Sequence, residues 1–227
     1  MKFWDRWAKV THASKKAYIL RFHYIMNPVR RIAERTPWFN QNATAIYQQR
    51  KKEILQKWLD GARVLEVGCG TGELGNDFWV DFGTKFYIGA DYSAGMARDA
   101  KMVFPKMNFI CADVFNLPFQ DHSFDIVYSA FLFHHLKPEI RQKAIMEKLR
   151  VSKGAVIIED TFGFEPGFFR LPHKMYYSIA DGSHYRYTIR EWNNMFRNLN
   201  IKIIDQFHTD QASIVNRCAC WVISSEL

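Results

Sequence analysis

The chain of 227 residues contains no apolar stretch approaching the ~20 residues needed to span a bilayer. Near its N-terminus the longest uncharged apolar run is Ala17-Tyr18-Ile19-Leu20, too short for the apolar part of a secretory leader. The default expectation is a soluble, cytoplasmic protein. Cysteine is scarce: Cys69, Cys111, Cys218 and Cys220 fit neither a disulfide framework nor a zinc-ligand spacing. They read as small buried hydrophobes, with Cys218 and Cys220 on one side of a strand. There is no internal repeat, no low-complexity tract, no cluster of oxygen ligands for a hard cation and no evident catalytic triad. A resident metal is not expected.

Acidic residues are sparse in one region only. Residues 1–60 hold 13 Lys/Arg against 4 Asp/Glu, while the rest hold 18 against 19, so the whole-chain charge of +8 comes from the first quarter. This asymmetry points either to an anionic surface or substrate, or to a solvated helical face. What the chain has in plenty is aromatic residues, at 16% with 19 Phe, 10 Tyr and 7 Trp. They serve a bulky core or line a pocket for an apolar or aromatic ligand.

The first 27 residues are aromatic and basic, with Trp4, Trp7, Tyr18, Phe22 and Ile25 at helical spacings. Pro28 and Pro37 interrupt them. A helix is expected over 43–59 through Ile46, Tyr47, Ile54, Leu55 and Trp58, ended by Gly61. Strands are expected at 63–68, 85–90, 107–112, 124–130 and 154–160, and helices at 72–81, 93–103 and 138–150. The strands are apolar on both faces, as in Ala155-Val156-Ile157-Ile158, which suits a doubly wound parallel sheet. Residues 161–187 break the alternation and are too long for a plain connection. Thr188 and Glu191 then form a capping-box spacing for a helix over 188–199. Strands at 201–207 and 215–223 are close enough in sequence to require an antiparallel hairpin.

The stretch Val64-Leu65-Glu66-Val67-Gly68-Cys69-Gly70-Thr71-Gly72 reads as a buried strand running into a glycine turn and a helix. Asp91 follows a second strand about twenty residues on, the arrangement of a nucleoside-binding crevice. Gly70-Thr71-Gly72-Glu73-Leu74-Gly75 also matches the dinucleotide string G-x-G-x-x-G. A carboxylate at Glu66 would repel a pyrophosphate at the helix N-terminus but would suit a ligand bearing an ammonium. Cys111-Ala112-Asp113-Val114 adds a carboxylate for an exocyclic amine beside an apolar wall.

These motifs resemble the class I S-adenosylmethionine-dependent methyltransferases, in the style of the small-molecule group that includes quinone and phospholipid enzymes. The resemblance rests on VLEVGCGTG at 64–72, GADYS at 89–93, CADVFNLPF at 111–119, SFDIVYSAFLFHHL at 123–136 and GAVIIED at 154–160. It implies a Rossmann-like, mostly parallel seven-stranded sheet with a C-terminal antiparallel hairpin and a helical N-terminal cap. The implied organisation is one methyltransferase domain: a basic cap over 1–60, a cofactor-binding core over 61–160, an insertion over the acceptor site at 161–187, and a last helix and hairpin over 188–227.

The resemblance also assigns roles. Gly68, Cys69, Gly70 and Gly72 would line the methionine part of the cofactor, with Glu66 on its amino group. Asp91 would accept from the ribose hydroxyls. Tyr92 and Met96 would pack on the adenine, and Asp113 would accept from its amine beside Val114. Ser129 and Ala130 would border the sulfonium. The product would be S-adenosylhomocysteine. The less favoured reading of Asp91 and Asp113 is as helix caps, and Asp125 reads as structural.

Methyl transfer from a sulfonium needs placement of the nucleophile, and a base only where that nucleophile must lose a proton. His134, then Asp160, are the candidate bases at the strand ends, against the plainer role of supporting the loop. Phe131, with Tyr47, His173, Tyr176, Tyr177, His184 and Tyr185, are candidates for the acceptor pocket. The expected acceptor is small and apolar or aromatic, such as a lipid, quinone or isoprenoid, reached at an anionic membrane through residues 1–40. Nucleic acid is the less favoured partner, since Asp160-Thr161-Phe162-Gly163 carries no Asn/Asp-Pro-Pro-Tyr-like sequence. A NAD(P)-dependent oxidoreductase is the remaining alternative.

Overall fold

Seven strands in the order β3-β2-β1-β4-β5-β7-β6 form one sheet in the computed structural model, which describes residues 41–165, 167, 185–209 and 217–225. The chain runs α1 (Gln41–Leu59), β1 (Arg63–Val67), α2 (Glu73–Asp81), β2 (Phe86–Asp91), α3 (Ala94–Val103), β3 (Asn108–Cys111) and β4 (Phe124–Ala130). A 3-10 turn (Phe133–His135), α4 (Pro138–Val151), β5 (Ser152–Thr161), α5 (Ile189–Asn198), β6 (Ile201–His208) and β7 (Cys218–Ser225) follow. The first five strands are parallel, and β7 lies antiparallel between β5 and β6. The sheet is therefore the doubly wound, mostly parallel one that the sequence predicts, with its antiparallel C-terminal pair.

The strand faces separate two apolar layers. Leu65, Val67, Val127, Val156 and Ile158 pack against Ala144, Ile145 and Leu149 of α4 and Trp192, Met195 and Phe196 of α5. On the opposite face Val64, Tyr87, Ile126, Tyr128 and Ile157 meet Ile54, Leu55 and Leu59 of α1 and Phe78 of α2. Period-two alternation sends neighbouring strand residues to opposite layers, which is why most central positions are apolar, with Glu66, Ser129, Glu159 and Asp160 as buried polar exceptions. Trp192 centres an aromatic group, with ring centroids 4.9 Å from Trp221, 5.3 Å from Phe133 and 5.5 Å from Phe196. Such pairs add about 0.5–1.5 kcal/mol each beyond area burial.

Local chemistry sets the helix ends. The Thr188 side chain accepts from the Glu191 N–H at 3.1 Å and Glu191 accepts from the Thr188 N–H at 2.7 Å, completing the expected capping box. Ser93, rather than Asp91, caps α3, accepting from the Met96 N–H at 3.3 Å. Asp125 accepts from the Arg63 N–H at 2.9 Å and ties β1 to β4, a structural role as expected.

Three sequence expectations shift. Ile46 is exposed, because adjacent residues Ile46 and Tyr47 cannot both face the sheet and Tyr47 does. The last strand runs over Cys218–Ser225, past the expected end at 223, while the expected start at 215 lies outside the described residues. The fifth strand begins two residues early, at Ser152, which pairs with Phe124 ahead of a register shift. Residues 1–40 and the candidates His173, Tyr176, Tyr177 and His184 lie outside the described residues.

Candidate active site

The order β3-β2-β1-β4 makes a topological switch between β1 and β4, and ligands of parallel sheets bind beyond the strand ends at such a switch. The glycine turn leaves β1 there. Its first two N–H groups, from Gly68 and Cys69, donate to the Ala90 carbonyl at 2.7 and 3.1 Å, which pins the turn to the end of β2. Gly68, Gly70 and Gly72 have φ of 83°, 53° and 81°, the left-handed region in which a side chain costs ~1–2 kcal/mol. Gly72 has a second reason to be glycine: a Cβ there would stand 2.6 Å from the Phe109 ring.

Asp91 is partly accessible and grips the turn from the neighbouring strand. One oxygen accepts from the Gly70 N–H at 2.9 Å and the other from the Ser93 N–H at 2.8 Å. Burial raises its pKa, against the lowering effect of those two N–H groups. Each oxygen keeps a lone pair for a further donor. Asp113 makes a local turn, accepting from the Phe115 N–H at 3.0 Å, with Val114 buried beside it. Tyr92 presents an exposed ring and Met96 is buried. Thus one strand end offers carboxylates, a close-approach turn and aromatic and thioether surface, the donor set suited to an aminoacyl nucleoside.

Glu66 lies beneath the turn and is 1% exposed. It accepts from the Tyr87 hydroxyl at 2.6 Å. Burial pushes its carboxyl up to about 8, with Tyr87 opposing and the Asp91 charge adding to the rise. Tyr87 reaches it through space left by two glycines. A Cβ on Gly75 would stand 2.2 Å from the Tyr87 ring, and one on Gly89 would stand 2.8 Å from its hydroxyl. The third glycine of the G-x-G-x-x-G string is therefore room for a tyrosine.

Across the switch point, Ser129 and Ala130 end β4, both buried, and the Ser129 Oγ has no hydrogen-bond partner among the described residues. Phe131 follows with a half-exposed ring and φ of 54°, a left-handed backbone unusual for a bulky residue. Its N–H donates to the Glu159 carbonyl at 2.8 Å. Leu132 then closes on the glycine turn, its Cδ1 3.1 Å from where a Cβ on Gly68 would stand. The two sides of the crevice are in contact.

His134 and Asp160, far apart in sequence, form one buried pair. The His134 N–H donates to one Asp160 oxygen at 3.1 Å, and ring Nδ1 is hydrogen-bonded to the other. Burial alone would raise the Asp160 carboxyl, yet His134, the Thr161 N–H and Arg141 hold it below the ordinary carboxylate range. The His135 ring packs 4.1 Å from that of His134. Arg141 is wholly buried over the Tyr187 ring at 4.1 Å, and its guanidinium donates to the carbonyls of Leu136 and Tyr185. It thereby ties the segment after β4 to the chain returning from the insertion. Tyr185 is half-buried there.

Sequence reasoning missed several of these groups. Arg141 and Lys148 fall on the same α4 stripe as Ala144 and Ile145, a 3–4 residue spacing that marks a buried face. Lys148 is wholly buried, its Nζ 4.5 Å over the Phe133 ring with no hydrogen-bond partner among the described residues, and burial drives its pKa well below the ordinary lysine value. Tyr47, named from the sequence as an acceptor-pocket candidate, is 2% exposed, stacks on Phe207 at 5.1 Å and donates to Glu159 at 3.0 Å, a tie the sequence did not foresee. Glu159 also accepts from Tyr128 at 2.6 Å and pairs with Lys51 at 2.6 Å, so α1 is fastened to the sheet through one buried carboxylate. Nothing in the sequence links those four positions.

Strand order, turn and paired carboxylates define a class I, S-adenosylmethionine-dependent methyltransferase fold. Residues 64–154 match the family described as a methyltransferase domain, and the chain carries such a domain. It is similar to the demethylmenaquinone methyltransferase of Renibacterium salmoninarum, with 36% identity over 45% of this chain and 44% of that one. It is also similar to the tRNA (carboxymethyluridine(34)-5-O)-methyltransferase of Saccharomyces cerevisiae, at 30% identity over 43% of this chain and 35% of that one. The chain spans less than half the length of these two relatives. The crystal structure of magnesium protoporphyrin IX methyltransferase from Synechocystis PCC 6803 with bound SAH shares the fold, with TM-score 0.60, 15% identity, 93% of this chain and 100% of that one. S-adenosylmethionine is the cofactor of this domain class, which sets the oxidoreductase alternative aside. No helix among the described residues is long and apolar enough to cross a membrane.

Proposed function

We propose that this protein transfers a methyl group from S-adenosylmethionine to a small, apolar or aromatic acceptor of lipid, quinone or isoprenoid type. The observation that carries the reading is the contact of the cofactor turn with the Phe131–His134 segment. An exposed aromatic ring and a buried His–Asp pair stand in that segment, beside the turn. The similarity to a demethylmenaquinone methyltransferase supports the acceptor class. S-adenosylmethionine supplies a methyl group already activated on a sulfonium. Glu66, Gly68, Cys69, Gly70 and Gly72 would hold its aminoacyl end, Asp91 its ribose, and Tyr92, Met96, Asp113 and Val114 its base, with Ser129 and Ala130 beside the sulfur.

His134 would take the acceptor's proton where the acceptor has one to lose. Asp160 on Nδ1 favours the tautomer whose basic lone pair is on Nε2, and it stabilises the imidazolium that forms. The basic first 40 residues would bring the protein to anionic membranes, where each nearby Lys/Arg contributes ~1 kcal/mol.

The test is a screen for S-adenosylhomocysteine release with quinone, isoprenoid and phospholipid acceptors, using Asp91→Ala as the inactive control. Turnover with a quinone or isoprenoid is the expected result; turnover with none of them sinks the acceptor class. Vesicle co-sedimentation of the full chain should depend on anionic lipid, and equal binding to neutral vesicles would remove the membrane role. A second reading, methylation of RNA, is favoured by the similarity to a tRNA methyltransferase. It requires tight RNA binding that weakens steeply with salt.

A further inference from the structure

We propose that Glu66 and Tyr87 form a proton-releasing clamp for the cofactor's amino group: Tyr87 positions Glu66, which stays uncharged in the empty site and gives its proton to water when the ammonium arrives. The inference rests on reading the glycine turn as the S-adenosylmethionine site, and it adds Tyr87 and the proton to that reading.

The geometry carries it. Glu66 is 1% exposed on the inner end of β1, and its side chain accepts a hydrogen bond from a neutral group, the Tyr87 hydroxyl at 2.6 Å. The titratable groups that act on it come from four elements: Asp91 at the end of β2, Asp77 on α2, Lys51 on α1 and Lys148 on α4. The two aspartates oppose its ionisation. Lys51 is committed to Glu159 at 2.6 Å, and burial drives the Lys148 amine toward its neutral form. A buried carboxylate with a neutral donor and two acidic neighbours is more stable protonated, and burial accordingly pushes it up to about 8. An ammonium brought against it supplies the missing positive charge and reverses the balance.

Tyr87 is more than packing in this arrangement. Gly75 and Gly89 both lack a Cβ where its ring and hydroxyl pass, so helix α2 and strand β2 each yield space for a single hydrogen bond. A hydroxyl donating to a carboxylate favours the charged form. Tyr87 thus sets both the aim of Glu66 and the ease with which it loses its proton.

The experiment is calorimetry of S-adenosylhomocysteine binding to the full chain at pH 7 in buffers of different ionisation enthalpy. The wild type should release about 0.9 of a proton, the protonated fraction of a group titrating one unit above the working pH. Affinity should rise about tenfold per unit from pH 6 and level off above about pH 8. Glu66→Gln should bind with no buffer dependence. Tyr87→Phe should bind about 10–100-fold more weakly, the loss expected for a hydrogen bond to a charged group, and its affinity should level off at higher pH. A purely structural Tyr87 would not move that pH. A wild-type binding enthalpy that is the same in every buffer, or proton release retained by Glu66→Gln, overturns the clamp while leaving the methyltransferase reading intact. Failure of the wild type to bind S-adenosylhomocysteine at all overturns that reading and the clamp with it.

Discussion

Asp160 holds His134 at two points, one carboxylate oxygen on the backbone N–H at 3.1 Å and the other on ring Nδ1. The double attachment fixes both the ring and the segment that carries it. A base would need the first, and a loop support would need only the second. Replacing His134 with Asn keeps the backbone bond and removes the imidazole ring. His134→Asn should therefore lower kcat by about 10²–10⁴-fold, the usual contribution of a general base. Its affinity for S-adenosylhomocysteine should stay unchanged. Asp160→Asn should lower kcat in the same direction. An unchanged kcat in His134→Asn would assign the pair to loop support.

Phe131 stores backbone strain next to this pair. A bulky residue at φ 54° costs ~1–2 kcal/mol that glycine would not incur, and such outliers gather at functional sites. Its ring is half-exposed, so truncation removes little core burial. Phe131→Gly should raise the denaturation midpoint while lowering kcat/KM for the acceptor. The two changes have opposite signs, which separates a role in acceptor binding from one in stability. Loss of stability together with unchanged kcat/KM would remove Phe131 from the acceptor pocket.

Gly75 and Tyr87 should show strong coupling. Alanine normally stabilises a helix by ~0.5–1 kcal/mol relative to glycine. Here its Cβ would meet the Tyr87 ring at 2.2 Å, and overpacking of this kind costs about 1–3 kcal/mol. Gly75→Ala should thus destabilise the wild type. In a Tyr87→Leu background, where no ring fills the space, the same change should be neutral or favourable. Chemical denaturation of the four proteins in the cycle measures the difference. Equal effects of Gly75→Ala in both backgrounds would mean that the tyrosine is not what requires glycine at this position.

The contrast between Gly75 and Arg141 shows where sequence reading reached and where it stopped. Strands β1 to β4 were legible to within about two residues, because buried parallel strands are short apolar runs bounded by turn residues. The turn, Asp91, and the placement of His134 and Asp160 near strand ends follow from motif order and from where parallel strands end, whereas the bond between those two was not foreseen. Arg141 and Lys148 were present in a readable helical stripe, but a charged residue on that stripe is ordinarily placed outside. The partners Tyr87 to Glu66 and Tyr47, Tyr128 and Lys51 to Glu159 were illegible. They are contacts between elements brought together only by the sheet order.

Lys148 offers the clearest stability prediction. Its Nζ is buried without a hydrogen-bond partner among the described residues, so the folded state disfavours the charged form and its pKa falls well below the ordinary lysine value. Between that depressed pKa and the unfolded value of ~10.4, the unfolded chain binds the extra proton. Stability therefore rises with pH across this window, by at most about 1.4 kcal/mol per unit. Lys148→Met keeps the length of the stem over Phe133 and removes the amine. The variant should be more stable than the wild type at pH 7, by at least the ~1–3 kcal/mol that an unsatisfied buried polar group costs. The gap should narrow as pH approaches 10, because the wild type then no longer needs to discharge its lysine on folding. Urea denaturation of both proteins from pH 7 to 10 tests this; groups that do not act on Lys148 cancel in the difference, while Asp160 and Glu66, which do act on it, contribute to it. A variant less stable at pH 7 would show that the amine's position over the Phe133 ring, at 4.5 Å, is worth more than its desolvation costs.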